Sequence, residues 1–597
     1  MDRRALLQAG AAAPLLPAAR TAAAPGTLRV AFNAAEAGFD PPRVSDQSSV
    51  RVHSHIFESP LTYDPLAQPA TLVPLTAAAL PEVSADFRHF VFTLRPGILF
   101  ADDPVFGGRP RELVAADVVY TIKRYYDPAL RSEHLYQFEN AKILGLSELR
   151  RRAIASRTPF PYDTEVAGLR ALDRYRFELR LAEPAPRFVH VFANPQLTGT
   201  VAREVIEAYA ADPMAHPVGT GPFRLAQWRR ASRIVLERNP RYREHRYAAA
   251  PAEGDAEGRA IAERLRGRRL PLLQRLEFDI VEEAQPRWLA FVGGEHDALL
   301  PVPPEYGHLA VPGGTLAPFL ARRGVRLQRW LQAAVTHTYF NFDDPLVGGY
   351  TPPQVALRRA MALAFDSAEE VRLVYQGQGE PAQQMIPPGC YGHEPDLKSE
   401  MTEASLARAK ALLDLHGYAD RNGDGWRERP DGSPLVLRMG FVANLRARRS
   451  SELWLKRMTQ AGLRIEFEVA PFAELIKRSL AGRLMSWGYT WSAGSPDGEF
   501  FLGLAYGPNA EQSNDARFRL PAFDRLYERQ RVLPDGPERL ALMQQCTRLM
   551  LAYVPYIAHQ HPYANDLLQP HVQAFRRHPF LSDWGRYALV GDAVSSA

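Results

Sequence analysis

The chain has 597 residues, 46% of them hydrophobic and 23% charged; this globular composition excludes a disordered chain, and the length calls for several lobes instead of one core. Its 72 basic and 67 acidic residues leave a formal charge of +5, and no segment concentrates that excess beside stacking aromatics, which argues against a nucleic-acid partner. Two cysteines, Cys390 and Cys546, cannot build a disulfide framework, though they pair if the fold brings them together.

The N-terminus carries Arg3-Arg4, an uncharged and mostly apolar stretch from Ala5 to Ala19, then small residues from Thr21 to Ala24. This is the three-part layout of an export signal over 1–24, of twin-arginine-like type. Pro14 and Pro17 break the apolar run, which is too short for a membrane helix, and no later segment runs apolar for long enough to span a bilayer. No cysteine stands near this end for lipid attachment. The expectation is a soluble, unanchored, periplasmic protein.

Residues 27–35 alternate as a strand, with Leu28, Val30 and Phe32 on one face. A proline turn and the polar loop "SDQSS", 45–49, lead into a short helix with Val52, Ile56 and Leu61 near one face. Residues 86–103 read as two strands around Pro96-Gly97. A helix follows, with Val114, Val118, Ile122 and Tyr125 at helical spacing and Asp117 in its first turns. After a strand at 173–184 comes "HPVGTGPFRLAQW", 216–228, a sharp glycine- and proline-rich bend that turns at once into a strand. Residues 244–272 read as an exposed insertion, and the arginine run at 263–275, which overlaps its end, as a solvated surface.

A strand at 273–281, a helix closed by Gly293-Gly294 and the strand "THTYF" come next. "PPQVALRRAMALAFD" opens with prolines at a helix start and places Val355, Ala356, Ala360, Leu363 and Ala364 on one face. Helix (404–416), strand (434–442), helix (449–461) and strand (463–469) then alternate. The aromatic segment "SWGYTWSAG", 486–494, precedes two helices and a strand. Hairpin and βαβ orders together make the class α/β with mixed sheets.

Several blocks resemble one family. "FVFTLRPGILFADD" with "ELVAADVVYTIKR", then "PVGTGPFRLAQW" with "IVLERNPRYR", then "VALRRAMALAFD" with "VYQGQGEPAQQMIPPG", occur in the order seen in extracytoplasmic solute-binding proteins of family 5, which serve peptide and nickel ABC importers. The resemblance implies a type II periplasmic-binding-protein-like fold with an extra domain (cluster C). The first lobe is discontinuous (26–58, 215–335 and 562–597), the extra domain is inserted at 59–214, and the second lobe is 336–561. Gly219 and Gly221 would return the chain from the insert to the first lobe as a hinge, through backbone angles other residues resist. Function would then be capture without chemistry: two lobes close on a peptide-like solute and present it to an ABC permease.

The favoured candidate contacts are Trp487, Tyr489 and Trp491, which share one face of a strand; ordinary core packing is the alternative. Relatives place a carboxylate for the ligand's ammonium shortly after such a tryptophan. Here Ser492 to Gly494 offer none, and Asp497 is the nearest. Ser48 and Ser49 stand where relatives contact ligand, although a helix-capping loop explains them too.

Other patterns are weaker. Asp420, Asn422, Asp424 and Gly425 have calcium-loop spacing, but position twelve is Asp431 and Arg427 replaces an apolar residue. "GQGEPA", 377–382, fits a dinucleotide pattern but follows a helix instead of a strand. The pairs His53/His55 and His559/His561 lack an evident third metal ligand. No metal or cofactor is therefore expected, calcium being the exception kept open, and the protein is expected to be a monomer. The rival functions are an exported multilobed hydrolase, for which no nucleophile motif is evident, and a sensor or chaperone on the same fold.

Overall fold

The computed structural model describes residues 26–591 apart from Thr402 and the Leu445 side chain; the export signal expected over 1–24 lies outside these residues. One twelve-stranded mixed sheet organises the molecule. Its strands in chain order are β1 (Thr27–Phe32), β2 (Phe223–Arg229), β3 (Arg233–Arg238), β4 (Arg275–Ile280), β5 (Ala298–Leu299), β6 (Arg326–Leu331), β7 (Ala334–Phe340), β8 (Gly379–Pro381), β9 (Val436–Val442), β10 (Arg464–Ala470), β11 (Ser486–Ser492) and β12 (Tyr556–Leu568). The spatial order is β10-β9-β11-β7-β12-β5-β1-β4-β3-β2, with β6 and β8 also paired to β12.

The thirteen-residue β12 joins the two halves. Its first part pairs with β7, Tyr339 opposite Tyr556 and Thr336 opposite Gln560. Its second part pairs with β6, from Leu331 opposite Tyr563 to Arg326 opposite Leu568. Only Gln332 and Ala333 separate β6 from β7, so the chain crosses between the halves there and again in the middle of β12.

Strand direction fixes where the halves meet. β9, β10 and β11 are parallel to one another, and β11 and β12 are both antiparallel to β7. These three strands therefore run with β12, toward the other half. β1, β4 and β5 are parallel, and β5 is antiparallel to β12, so they run the opposite way. The carboxyl ends of both parallel sets thus point at the junction, the place where open α/β sheets bind ligands.

Helix α1 (Gln47–His53) follows β1. Helix α2 (Ala115–Tyr126) forms as its spacing predicts: Val118, Ile122 and Tyr125 are fully buried. Asp117 accepts from the Val114 N–H at 2.9 Å, closing the helix start. α2 packs in a separate core over a four-stranded antiparallel sheet that includes His89–Thr93 and Arg176–Arg180. The return strand expected at 98–100 is reduced to a single bridge, Leu99 to Glu112.

The segment 244–272 is more than the expected exposed insertion. It holds a helix, Ala256–Leu265, and a two-stranded ribbon, and it buries Leu265 and Leu270 in a small core with Tyr247 and Ala574. In the second half, α3 (Pro352–Ala364), α5 (Leu445–Gln460) and α6 (Pro537–Tyr553) pack with the sheet into two apolar clusters, α4 (Ser367–Leu373) lies between α3 and β8 in the chain, and all seven residues of β7 are buried. The first half is held across long sequence distances by Glu58, which accepts from Arg243 at 2.6 Å and from Arg586 at 2.7 Å. These three residues lie on the three separated segments expected for that lobe.

Candidate functional site

β11 ends at the junction, and its alternation sets out a row of rings. Ring centroids are 5.4 Å apart for Phe472 and Trp487, 4.9 Å for Trp487 and Tyr489, 6.1 Å for Tyr489 and Trp491, and 5.5 Å for Trp491 stacked on Phe500. Exposure divides the row. Trp487 is 1% exposed and belongs to the core, which corrects its expected role at the surface of the site. Tyr489 and Trp491 are half-buried. The Tyr489 hydroxyl donates to Asp515; burial and that carboxylate push it far above its ordinary range. Its ring face, not its hydroxyl, is therefore what it offers. The Trp491 Nε1 has no partner among the described residues, and Ser492 is exposed beside it.

Asp497 does not offer a free carboxylate. It is 5% exposed and gripped by Arg539, Oδ1 to Nη2 at 2.7 Å and Oδ2 to Nη1 at 2.8 Å. Burial pushes the carboxyl up, and the guanidinium more than reverses this, holding it below the usual range. The expectation that it meets a ligand's ammonium is corrected: its charge is spent on Arg539.

Ser48 and Ser49 are likewise taken up by the fold. The Ser48 hydroxyl donates to the Ala34 carbonyl at 2.7 Å, and Ser49 Oγ accepts from the Ala37 N–H at 2.9 Å. Asp46 caps α1 through the Ser49 N–H. Both serines pin the 34–38 loop, so the capping explanation replaces ligand contact. Gly219 and Gly221 are also corrected. Neither has a positive φ, and neither lies on the crossings at 332–333 and within β12. Glycine is needed there for close approach: a Cβ on Gly219 would sit 2.1 Å from the Ile56 carbonyl oxygen, and one on Gly221 2.5 Å from the same atom.

The weaker patterns resolve. His55 is spent on the Arg51 carbonyl at 2.6 Å and the Gly585 N–H at 3.0 Å. His561 is spent on the Ala334 carbonyl at 3.0 Å. "GQGEPA" contains β8 and opens no helix. Asp420, Asp424 and Glu428 bring ligand atoms within 4.8 Å of one another, so Glu428, not Asp431, is the third carboxylate; Asp431 instead accepts from Ser433. Cys390 and Cys546 are free and buried in one apolar cluster, with burial pushing both thiols up to about 12.

Three arrangements have no sequence signal, because they join residues far apart in the chain. Arg187, from the region of the four-stranded sheet, donates to Glu499 at 2.9 Å and to the Leu533 carbonyl at 2.8 Å, reaching into the second half. Thr338 Oγ1 lies 2.8 Å from His559 Nε2, and His559 Nδ1 lies 3.3 Å from Glu370. That hydroxyl–imidazole–carboxylate order is the one hydrolytic centres use, but all three side chains are buried and the hydroxyl is closed to a substrate. The Thr338–His559 contact instead ties β7 to β12, and His559 Nδ1 and Glu370 Oε2 have no hydrogen-bond partner among the described residues. The third arrangement is Arg51, which lies over the Phe32 ring, 5.9 Å from its centroid, at the carboxyl end of β1.

The sequence profile of the bacterial extracellular solute-binding proteins, family 5 (middle region), matches residues 71–513. The di/tripeptide-binding protein 2 of Pseudomonas aeruginosa is 26% identical over 95% of this chain and 96% of its own length. The dipeptide-binding protein of Escherichia coli is 23% identical over 89% and 91%. Among solved structures, an ABC transporter-associated periplasmic binding protein, DppA, from Helicobacter pylori, in complex with the peptide STSA, superposes with a TM-score of 0.69. It shares 17% identity and covers 95% of this chain and 98% of its own. The fold of the described residues is that two-lobed, mixed-sheet architecture.

Proposed function

Because the chain belongs to the bacterial extracellular solute-binding proteins of family 5, we propose that it captures a peptide or peptide-like solute between its two lobes and delivers it to an ABC permease of the inner membrane. The observation that supports this most is the meeting of both sets of parallel strands, carboxyl ends first, at a junction where, among the described residues, the chain crosses at 332–333 and within β12. Such a joint lets two rigid bodies open and close, and a ligand favours the closed state by touching both. Half-buried Tyr489 and Trp491 supply rigid apolar area on one side.

In this reading the lobes are 26–58 with 215–335 and 562–597, and 336–561, the extra domain is 59–214, and the hinge lies at the two crossings. The protein is periplasmic, unanchored and monomeric, and it works without a resident cofactor. Among the described residues no helix is long and apolar enough to cross a membrane. No bond is made or broken, so it is not an enzyme.

The test is calorimetric titration with di- to tetrapeptides, paired with small-angle scattering. Saturable binding with a smaller radius of gyration on saturation supports the reading. Absence of binding across the series, or binding without compaction, overturns it.

A further inference from the structure

We infer that the second-lobe side of the junction is an apolar subsite built on Phe472, Tyr489, Trp491 and Phe500, so that the protein prefers solutes carrying a large uncharged apolar group. The inference rests on the proposed solute-binding function and names the class of solute that this site takes.

Topology delivers these rings to the junction. Phe472 stands two residues beyond β10, and Tyr489 and Trp491 lie in the carboxyl-terminal half of β11. Both strands run with β12 toward the other half. Phe500 follows β11 in the short helix Glu499–Leu502.

The rings form one strip. Phe472 meets Tyr489 edge to face at 6.4 Å between centroids, Tyr489 meets Trp491 at 6.1 Å, and Trp491 stacks on Phe500 at 5.5 Å. None of these rings is sealed: Phe472 is 49% exposed, and the others are half-buried. Phe472 shares a helix face with buried Leu475 and Ser479, so the apolar stripe of that helix runs past the core and out over the junction. Contiguous rings left in water are costly and mark a surface that a partner covers.

The surroundings decide which kind of group covers it. The polar groups bordering the strip are already engaged. The Tyr489 hydroxyl donates to Asp515, which also accepts from Ser479; Asp497 is held by Arg539 and Glu499 by Arg187. Ser492 to Gly494, beyond Trp491, contain no acid. A hydrophilic group seated on the strip would give up its water without gaining a partner, whereas an apolar group gains the ring faces.

Tripeptides with Phe, Gln or Lys placed in turn at each position of an alanine background separate these cases, titrated calorimetrically into the wild type, Phe472→Ala and Phe472→Leu. The best Phe peptide is expected to bind the wild type at least about tenfold more tightly than its Gln and Lys counterparts, the scale of burying one large apolar side chain. Phe472→Ala is expected to shrink that ratio and Phe472→Leu to keep most of it. Wild-type affinities that do not favour Phe overturn the inference while leaving peptide capture intact, and they do so even if Phe472→Ala fails to fold. A preference for Lys, the mark of a cation held on ring faces, overturns it too, as does an undiminished ratio in folded Phe472→Ala. If the wild type binds no peptide, peptide capture fails, and the neutral apolar fluorophore Nile red becomes the probe. Saturable enhancement by the wild type that weakens in Phe472→Ala supports the subsite, and absent or equal enhancement overturns it.

Discussion

Asp497 and Arg539 face each other fork to fork, with both oxygens of the carboxylate within 2.8 Å of guanidinium nitrogens and both side chains withdrawn from solvent. The pair closes the loop that follows the aromatic strand, and Glu499 beside it reaches Arg187.

Replacing Asp497 by Asn should leave Arg539 buried without its main counter-ion and cost about 3–5 kcal/mol of stability, read by urea denaturation. The pH dependence has a definite sign. The folded carboxyl sits below its ordinary value, so its contribution is complete above about pH 4 and is lost as pH falls through the folded value. The wild type should therefore lose stability more steeply than Asp497→Asn on acidification below pH 4. Parallel curves would deny the pair that role.

The two tryptophans of β11 should separate by readout. Trp491→Ala should weaken ligand binding by about 1–3 kcal/mol, the scale of a large apolar contact, with little change in melting temperature. Trp487→Ala should instead destabilise the fold by about 3–5 kcal/mol. Equal binding losses in the two folded variants would place both rings in the site.

Arg187→Ala removes the charged contacts to Glu499 and to the Leu533 carbonyl. The contact joins the inserted region to the second lobe, so ligand-free Arg187→Ala should be more expanded by small-angle scattering. Its ligand affinity should drop by about 1–3 kcal/mol, the range for hydrogen bonds to charged groups. Unchanged scattering and affinity would mean that Arg187 does not hold the lobes together.

Gly219→Ala should destabilise the protein by about 1–3 kcal/mol, as overpacking does, because its methyl would collide with the Ile56 carbonyl. Calorimetric melting checks this. A melting temperature equal to the wild type would show that the 55–57 and 219–221 segments yield easily.

By itself the sequence determined the local elements and the family. Alternation at 486–492 gave β11, and the spacing of Val118, Ile122 and Tyr125 gave α2, because those periodicities are properties of a single segment. Ordered blocks carried the two-lobed architecture. The site was legible only as a row of rings.

Tertiary structure alone decided which side chains remain available to a solute. Period two puts Trp487 and Trp491 on one face, but only the strands and helices packed on that face leave one sealed and the other half open. Asp497 looked free because Arg539, which takes its charge, lies 42 residues away. Ser48 and Ser49 looked like ligand donors because a hydroxyl's partner cannot be read from its own loop. Hydrogen bonds and ion pairs fall off within a few ångströms and ignore chain separation, so their assignment belongs to the packed molecule.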